Sequence, residues 1–224
     1  MNFLPAHRLR LYRNFKSLEV NDFHGIIRFY EQFEDGIRSL DFEEYFDCTL
    51  TYTNALFQTG NHGKHMVMCD QLLEVIIMQN IESWGGEDLY AKTLFLKAAS
   101  LYQLQEYPKA EHVLRELVKI YPADRTPCRF LEKCLLRQKP GWLMKTRAAT
   151  VAIVLLAAIV IAAEIFVVKP FFASWEKPVM VAHNALMGLG VVVFVAGELF
   201  HALRCRHAAG SFAKRMFRRK TGQY

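Results

Sequence analysis

Two long apolar runs near the C-terminal end of the chain limit what it can fold into. The first spans Ala148 to Ala163 with only Thr150 polar, and continues past Glu164 to Val168 before Lys169 and Pro170 stop it. At about 1.5 Å per residue, such a helix covers the roughly 30 Å of hydrocarbon in a bilayer. A second run, Val179 to Leu203, follows after a short gap. In lipid every backbone N–H and C=O must be bonded within the protein, so two spans this close predict a transmembrane helical hairpin. The expected division is a soluble domain over 1–138, a juxtamembrane linker 139–147, spans at 148–168 and 179–203 around an external loop 169–178, and a basic tail 204–224.

Charge is divided along the same lines. Up to Arg147 there are 19 Lys/Arg and 19 Asp/Glu, whereas beyond it nine basic residues face three acidic ones. The net charge of +6 thus comes from the membrane region. A basic face on the soluble part, which nucleic-acid binding would need, is missing, so nucleic acid is excluded as the main partner. Arg137, Lys139, Lys145 and Arg147 precede the first span, and Arg204, Arg206, Lys214, Arg215, Arg218, Arg219 and Lys220 follow the second. The loop between holds only Lys169 and Lys177. An excess of Lys and Arg marks the cytoplasmic side, so both termini are expected there. Trp142 on the inner side and Phe171, Phe172 and Trp175 on the outer side stand where interfacial aromatic anchors belong. Met1–Val20 is basic but lacks the apolar core of a secretory signal. Five cysteines without a framework spacing are expected to be free thiols.

The soluble part has the period of helices. In Ala91–Pro122, Leu94, Ala98 and Leu101 share one face. After a turn at Gln105–Glu106, Tyr107, Ala110, Leu114 and Leu117 repeat the spacing. Two helices joined by so short a turn must pack antiparallel. On Ala98, Tyr107, Ala110, Leu114, Leu117 and Pro122 this unit resembles the tetratricopeptide repeat, a helical hairpin of about 34 residues. Leu94 stands where the family has Trp, and Lys97 where it has Leu. A weaker copy surrounds Gly60, Cys69 and Leu72, with His65 in place of the usual Ala. A third surrounds Phe23, Ile26, Tyr30 and Phe33. Arg125–Gln138, with Phe130, Leu131, Cys134 and Leu135 on one stripe, is the expected end cap of the stack.

The resemblance implies an all-α fold of tetratricopeptide-like hairpins, an α-solenoid, followed by the transmembrane hairpin. It also implies binding of a protein partner in a groove lined by first helices. Carried onto this chain, the groove positions are Arg8, Leu11, Phe15, Asn54, Phe57, Gln58, Lys92, Phe95, Tyr102 and Gln103. The family's carboxylate clamp needs more Lys, Arg and Asn than Asn54 and Lys92 supply.

Catalytic signatures are lacking. There is no nucleophile elbow, phosphate loop or paired-carboxylate motif, so no enzyme activity and no cofactor is expected. His62, His65 and Cys69 are close, but a fourth ligand is not evident. One packed cysteine and two surface histidines are expected rather than a metal site. Ionisable groups in hydrocarbon are costly and call for partners. Glu164, near the outer end of the first span, matches His183 and Asn184 in depth on the second, and a polar pair across the hairpin is expected. Glu198 and His201 lie level with Arg147 and Thr150. Gly188, Gly190, Ala196 and Gly197 would let the helices approach Ala157, Ala158, Ala162 and Ala163 closely. Phe212, Met216 and Phe217, set among basic residues, suit a helix lying on anionic headgroups of the membrane lipids.

The combined expectation is a membrane-anchored protein-interaction adaptor or scaffold. The alternative is a small transport or channel component that forms a homo-oligomer around the polar hairpin residues. Short loops, sparse glycine and two spans rather than one point to a bacterial inner membrane.

Overall fold

In the computed structural model, residues 5–171 and 175–222 are described, and every regular element among them is helical. Phe172 and the side chains of Arg8 and Phe171 lie outside the described residues. The part before Pro140 runs through α1 (Pro5–Lys16), α2 (Phe23–Gln32), the short α3 (Glu34–Arg38), α4 (Phe42–Gln58), α5 (His62–Met78), α6 (Leu89–Gln103), α7 (Tyr107–Ile120) and α8 (Arg125–Arg137).

Local chemistry fixes the ends of these helices. Asp22, Asn61, Asp88 and Asp124 cap α2, α5, α6 and α8, each accepting a backbone N–H of the first turn. Such caps satisfy donors that a helix start leaves free, at about 1 kcal/mol each. Gly60 ends the α4–α5 turn at φ +75°, a left-handed conformation that suits glycine. Gln105 takes the equivalent place between α6 and α7 at φ 62° without that advantage.

Packing follows the apolar stripes. Ala98 and Leu101 of α6 bury against Ala110 and Leu114 of α7, all at 2% exposure or less, with Leu131 and Cys134 of α8 completing the cluster. Ala98 and Ala110 are the small residues that let α6 and α7 approach. Leu11, Phe15, Ile26, Tyr30 and Tyr52 form a second core at the other end, where the Tyr30 and Tyr52 rings stack at 4.0 Å.

Beyond Pro140 the chain becomes two long helices. The first is α9 (Gly141–Ala163), continued by a π-turn at Glu164–Val168 and a short α10 (Lys169–Phe171). The second is α11 (Glu176–Thr221). Both are long and apolar enough to cross a membrane, and only 11% and 6% of their apolar windows are buried within the protein. A core helix of a water-soluble protein would be covered. An apolar surface this large left bare points to lipid.

Two expected boundaries shift. There is no separate linker over 139–147, because α9 already begins at Gly141. There is no break at 203 either: α11 continues unbroken for 46 residues, about 69 Å at helical rise. Its last third packs on α7 and α8, where Ala209 is 1% exposed and Phe212 joins the Ala98–Leu131 cluster. The expectation that Phe212 lies on lipid is therefore corrected. The stripe Cys205, Ala209, Phe212 has the spacing of a docking face, and a helix face against protein cannot also face the bilayer. Lys220 secures the end by donating to the Ile120 carbonyl at 2.7 Å.

Candidate functional site

An open hollow of about 340 Å³ lies between α1, α2, α4, α5 and α6. Phe15, Leu18, Phe23, Leu50, Leu72 and Leu96 give it apolar walls, and Lys16, Thr51, Asn54 and Lys92 its polar groups. The helical period puts Leu50, Thr51 and Asn54 on one face of α4, and Lys92 and Leu96 on one face of α6. Lys16 donates to Asp47 at 2.9 Å, and Lys92 pairs with Glu87. Both ammonium groups are thus already neutralised, so a carboxylate arriving in the hollow would have to compete for them.

Of the anticipated groove residues, Asn54 and Lys92 line this hollow together with Phe15. The other described ones lie elsewhere. Leu11 is buried in the first core. Gln58 and Gln103 are exposed near the ends of α4 and α6, away from the hollow. Phe57 packs against the His62 and His65 rings. Phe95 and Tyr102 pack against Phe130 of α8, at 5.5 and 5.4 Å. The end-cap helix thus covers the part of α6 that a groove would have needed, and the opening sits one hairpin further toward the N-terminus. Sequence periodicity identifies a helix face but not which neighbour covers it.

His65 corrects a second expectation. It is fully buried, not on the surface. Its Nδ1 lies 2.8 Å from Ser100 Oγ, which is also 3.1 Å from His62 Nδ1. The Ser100 hydroxyl thus hydrogen-bonds both rings, which ties α5 to α6. Burial pushes His65 down to about 4, so it is neutral at pH 7. Cys69 packs against the same ring, at 3.4 Å from Nε2, and burial pushes its thiol up to about 12. A thiol held so far from ionisation is a weak nucleophile. Among the described residues no group of three or more His, Cys, Asp or Glu could hold a metal ion. All five cysteines are free.

In the hairpin, Glu164 Oε2 lies 2.9 Å from His183 Nδ1, and the Glu164 side chain is 6% exposed. Neither atom makes an aligned hydrogen bond. Asn184, one residue further, is exposed and takes no part. The π-turn begins at Glu164, whose carbonyl accepts the N–H of Lys169. Near the end of the hairpin next to α8, Arg147 meets Glu198 through Nη2 and Nε at 2.6 and 2.7 Å. His201 contacts the Leu136 carbonyl and the Trp142 ring instead. Gly190 and Gly197 face Ile153 and Thr146, while Gly188 faces open space. Ala157, one of the anticipated small residues, is 1% exposed, while Gly190 and Gly197 sit opposite larger residues.

No family model, curated protein or solved structure matches this chain.

Proposed function

We propose that this chain is a membrane-anchored adaptor that binds another protein in the hollow of a cytoplasmic, tetratricopeptide-like domain. The observation that carries this reading is the 340 Å³ hollow, apolar in its walls and polar at Asn54, Thr51 and Lys92. Ligand sites have this composition: apolar area for affinity, and a few placed polar groups for orientation. Its chemistry offers hydrogen bonding and apolar contact, and His65 in its wall is buried and held by Ser100. Because Lys16 and Lys92 are paired, an apolar or helical segment suits the hollow better than a free C-terminal carboxylate. The basic flanks of the hairpin favour both termini in the cytoplasm, and the two-span build favours a bacterial inner membrane.

A photo-crosslinking amino acid at Thr51, inside the hollow, tests this against one at Val67, exposed outside it. The adaptor reading expects one discrete adduct from position 51 and none from 67. Adducts of equal yield at both positions would overturn the groove.

A second reading, a small transport component, draws on the π-turn at Glu164, since π-turns recur at functional sites.

A further inference from the structure

Where α11 leaves the apolar span, a second hollow of about 670 Å³ opens between it and α7. Arg204, His207 and Arg215 line it from one face of α11, and Arg115 overlooks it from α7. Arg115 is committed to Glu111 at 2.7 Å and lies over the Phe212 ring at 5.0 Å. Among the described residues, neither Arg204 nor Arg215 pairs with a carboxylate, and no acidic side chain lines the hollow. Its lower wall is Phe200 and Leu203, 58% and 56% exposed, which belong to the apolar span. Hydrocarbon-facing side chains thus give way to unpaired guanidinium groups within about one helical turn.

We propose that this hollow binds the headgroup of an anionic phospholipid. The phosphate lies between Arg204 and His207, with Arg215 and Arg115 further in, and the acyl chains run down over Phe200 and Leu203. A guanidinium fork matches phosphate oxygens in geometry and charge, and basic recesses at the cytoplasmic ends of membrane helices take anionic headgroups. The remaining cations of this stretch, Arg206 and Lys214, do not line the hollow. They contribute only general attraction. A bound lipid would bridge α7 and α11 and hold the helical domain at a fixed height over the bilayer. The site rests on the membrane placement and is independent of the protein-binding hollow.

The test uses the full chain incorporated in phosphatidylcholine vesicles with and without phosphatidylglycerol, with retained lipid measured by native mass spectrometry. The wild type should retain phosphatidylglycerol. The double variant Arg204→Gln/Arg215→Gln should bind it roughly thirty-fold more weakly, and Arg206→Gln/Lys214→Gln should bind it almost as the wild type does. Equal weakening by both pairs would overturn the site in favour of general electrostatics. Inorganic phosphate offered in detergent without lipid is the soluble source, and binding as tight as the lipid's would overturn the headgroup assignment. A chain that enters neither vesicle would overturn the membrane placement and the site together, leaving the crosslinking at Thr51 to judge the adaptor reading.

Discussion

Glu164 and His183 meet at 2.9 Å across the membrane hairpin, and the carboxylate belongs to the residue at which the first helix passes from α to π winding. The wider turn gives up one ordinary helical hydrogen bond, and the carboxylate is carried with it into the contact between the helices. A buried acid facing an imidazole can either brace the hairpin or carry a proton.

The brace predicts that Glu164→Gln leaves folding and partner binding nearly intact, because an amide of the same size keeps the packing against His183. Interhelical polar contacts in bilayers contribute on average only about 0.6 kcal/mol. Thermal unfolding in detergent should shift little, and reconstituted vesicles should show no flux driven by a pH gradient. Proton-coupled uptake by the wild type that Glu164→Gln abolishes would establish the transport reading instead.

Ala110 is fully buried where α6 crosses α7, against Ala98 and Leu101. Ala110→Leu should cost about 1–3 kcal/mol through strain in a site without room. Lys109→Leu, at the exposed neighbour, loses only a surface ion pair with Glu106 and should change stability little. Chemical denaturation of the full chain compares the two, and equal midpoints would place the helix crossing elsewhere.

The docked end of α11 predicts that the helical domain is less stable without it. Phe212→Ala removes a ring from the cluster of Leu114, Leu131 and Cys134, and with it the Arg115 contact. A loss of about 1–3 kcal/mol is expected, since the ring is only partly buried. Limited proteolysis within α8 should become faster. A protection pattern identical to the wild type would mean that the tail does not hold this face.

His65 makes stability depend on pH. Its folded pKa is lowered from 6.5 to about 4, first by burial and then by the neighbouring His62. Between those values the unfolded chain binds a proton that the folded chain does not. The contribution is therefore complete above pH 6.5 and is lost as pH falls toward 4, amounting to up to about 3 kcal/mol. Denaturant midpoints across this window should fall with pH in the wild type, and less steeply in His65→Gln.

The topology is tested by single cysteines at Lys177 and Thr221, labelled from outside intact cells with a membrane-impermeant reagent. Label at 177 and none at 221 is expected from the basic flanks. The reverse pattern would invert the chain.

The all-helical build and the two apolar spans were legible in the residues, since period, caps and an unbroken apolar length are properties of local sequence. So was the crossing at Ala98 and Ala110, because a small residue on each of two consecutive helices needs no distant partner. The Glu164–His183 contact was anticipated by matching depth along the two spans, although depth could not separate His183 from Asn184. Only rotation about the helix axis, set by packing at Gly190 and Gly197, does that.

What the sequence could not determine was which face meets which across long separations. Cys205, Ala209 and Phe212 form an apolar stripe whether they face lipid or protein, and the difference is made by α7 and α8, about eighty residues away, which offer a bare surface of matching shape. His65 at a position usually given to alanine looked like a surface substitution until Ser100, 35 residues on, supplied its hydrogen bond. Local sequence sets the period and polarity of each helix. The choice of neighbour depends on burying apolar area and satisfying polar groups over the whole fold at once, and that is decided only in three dimensions.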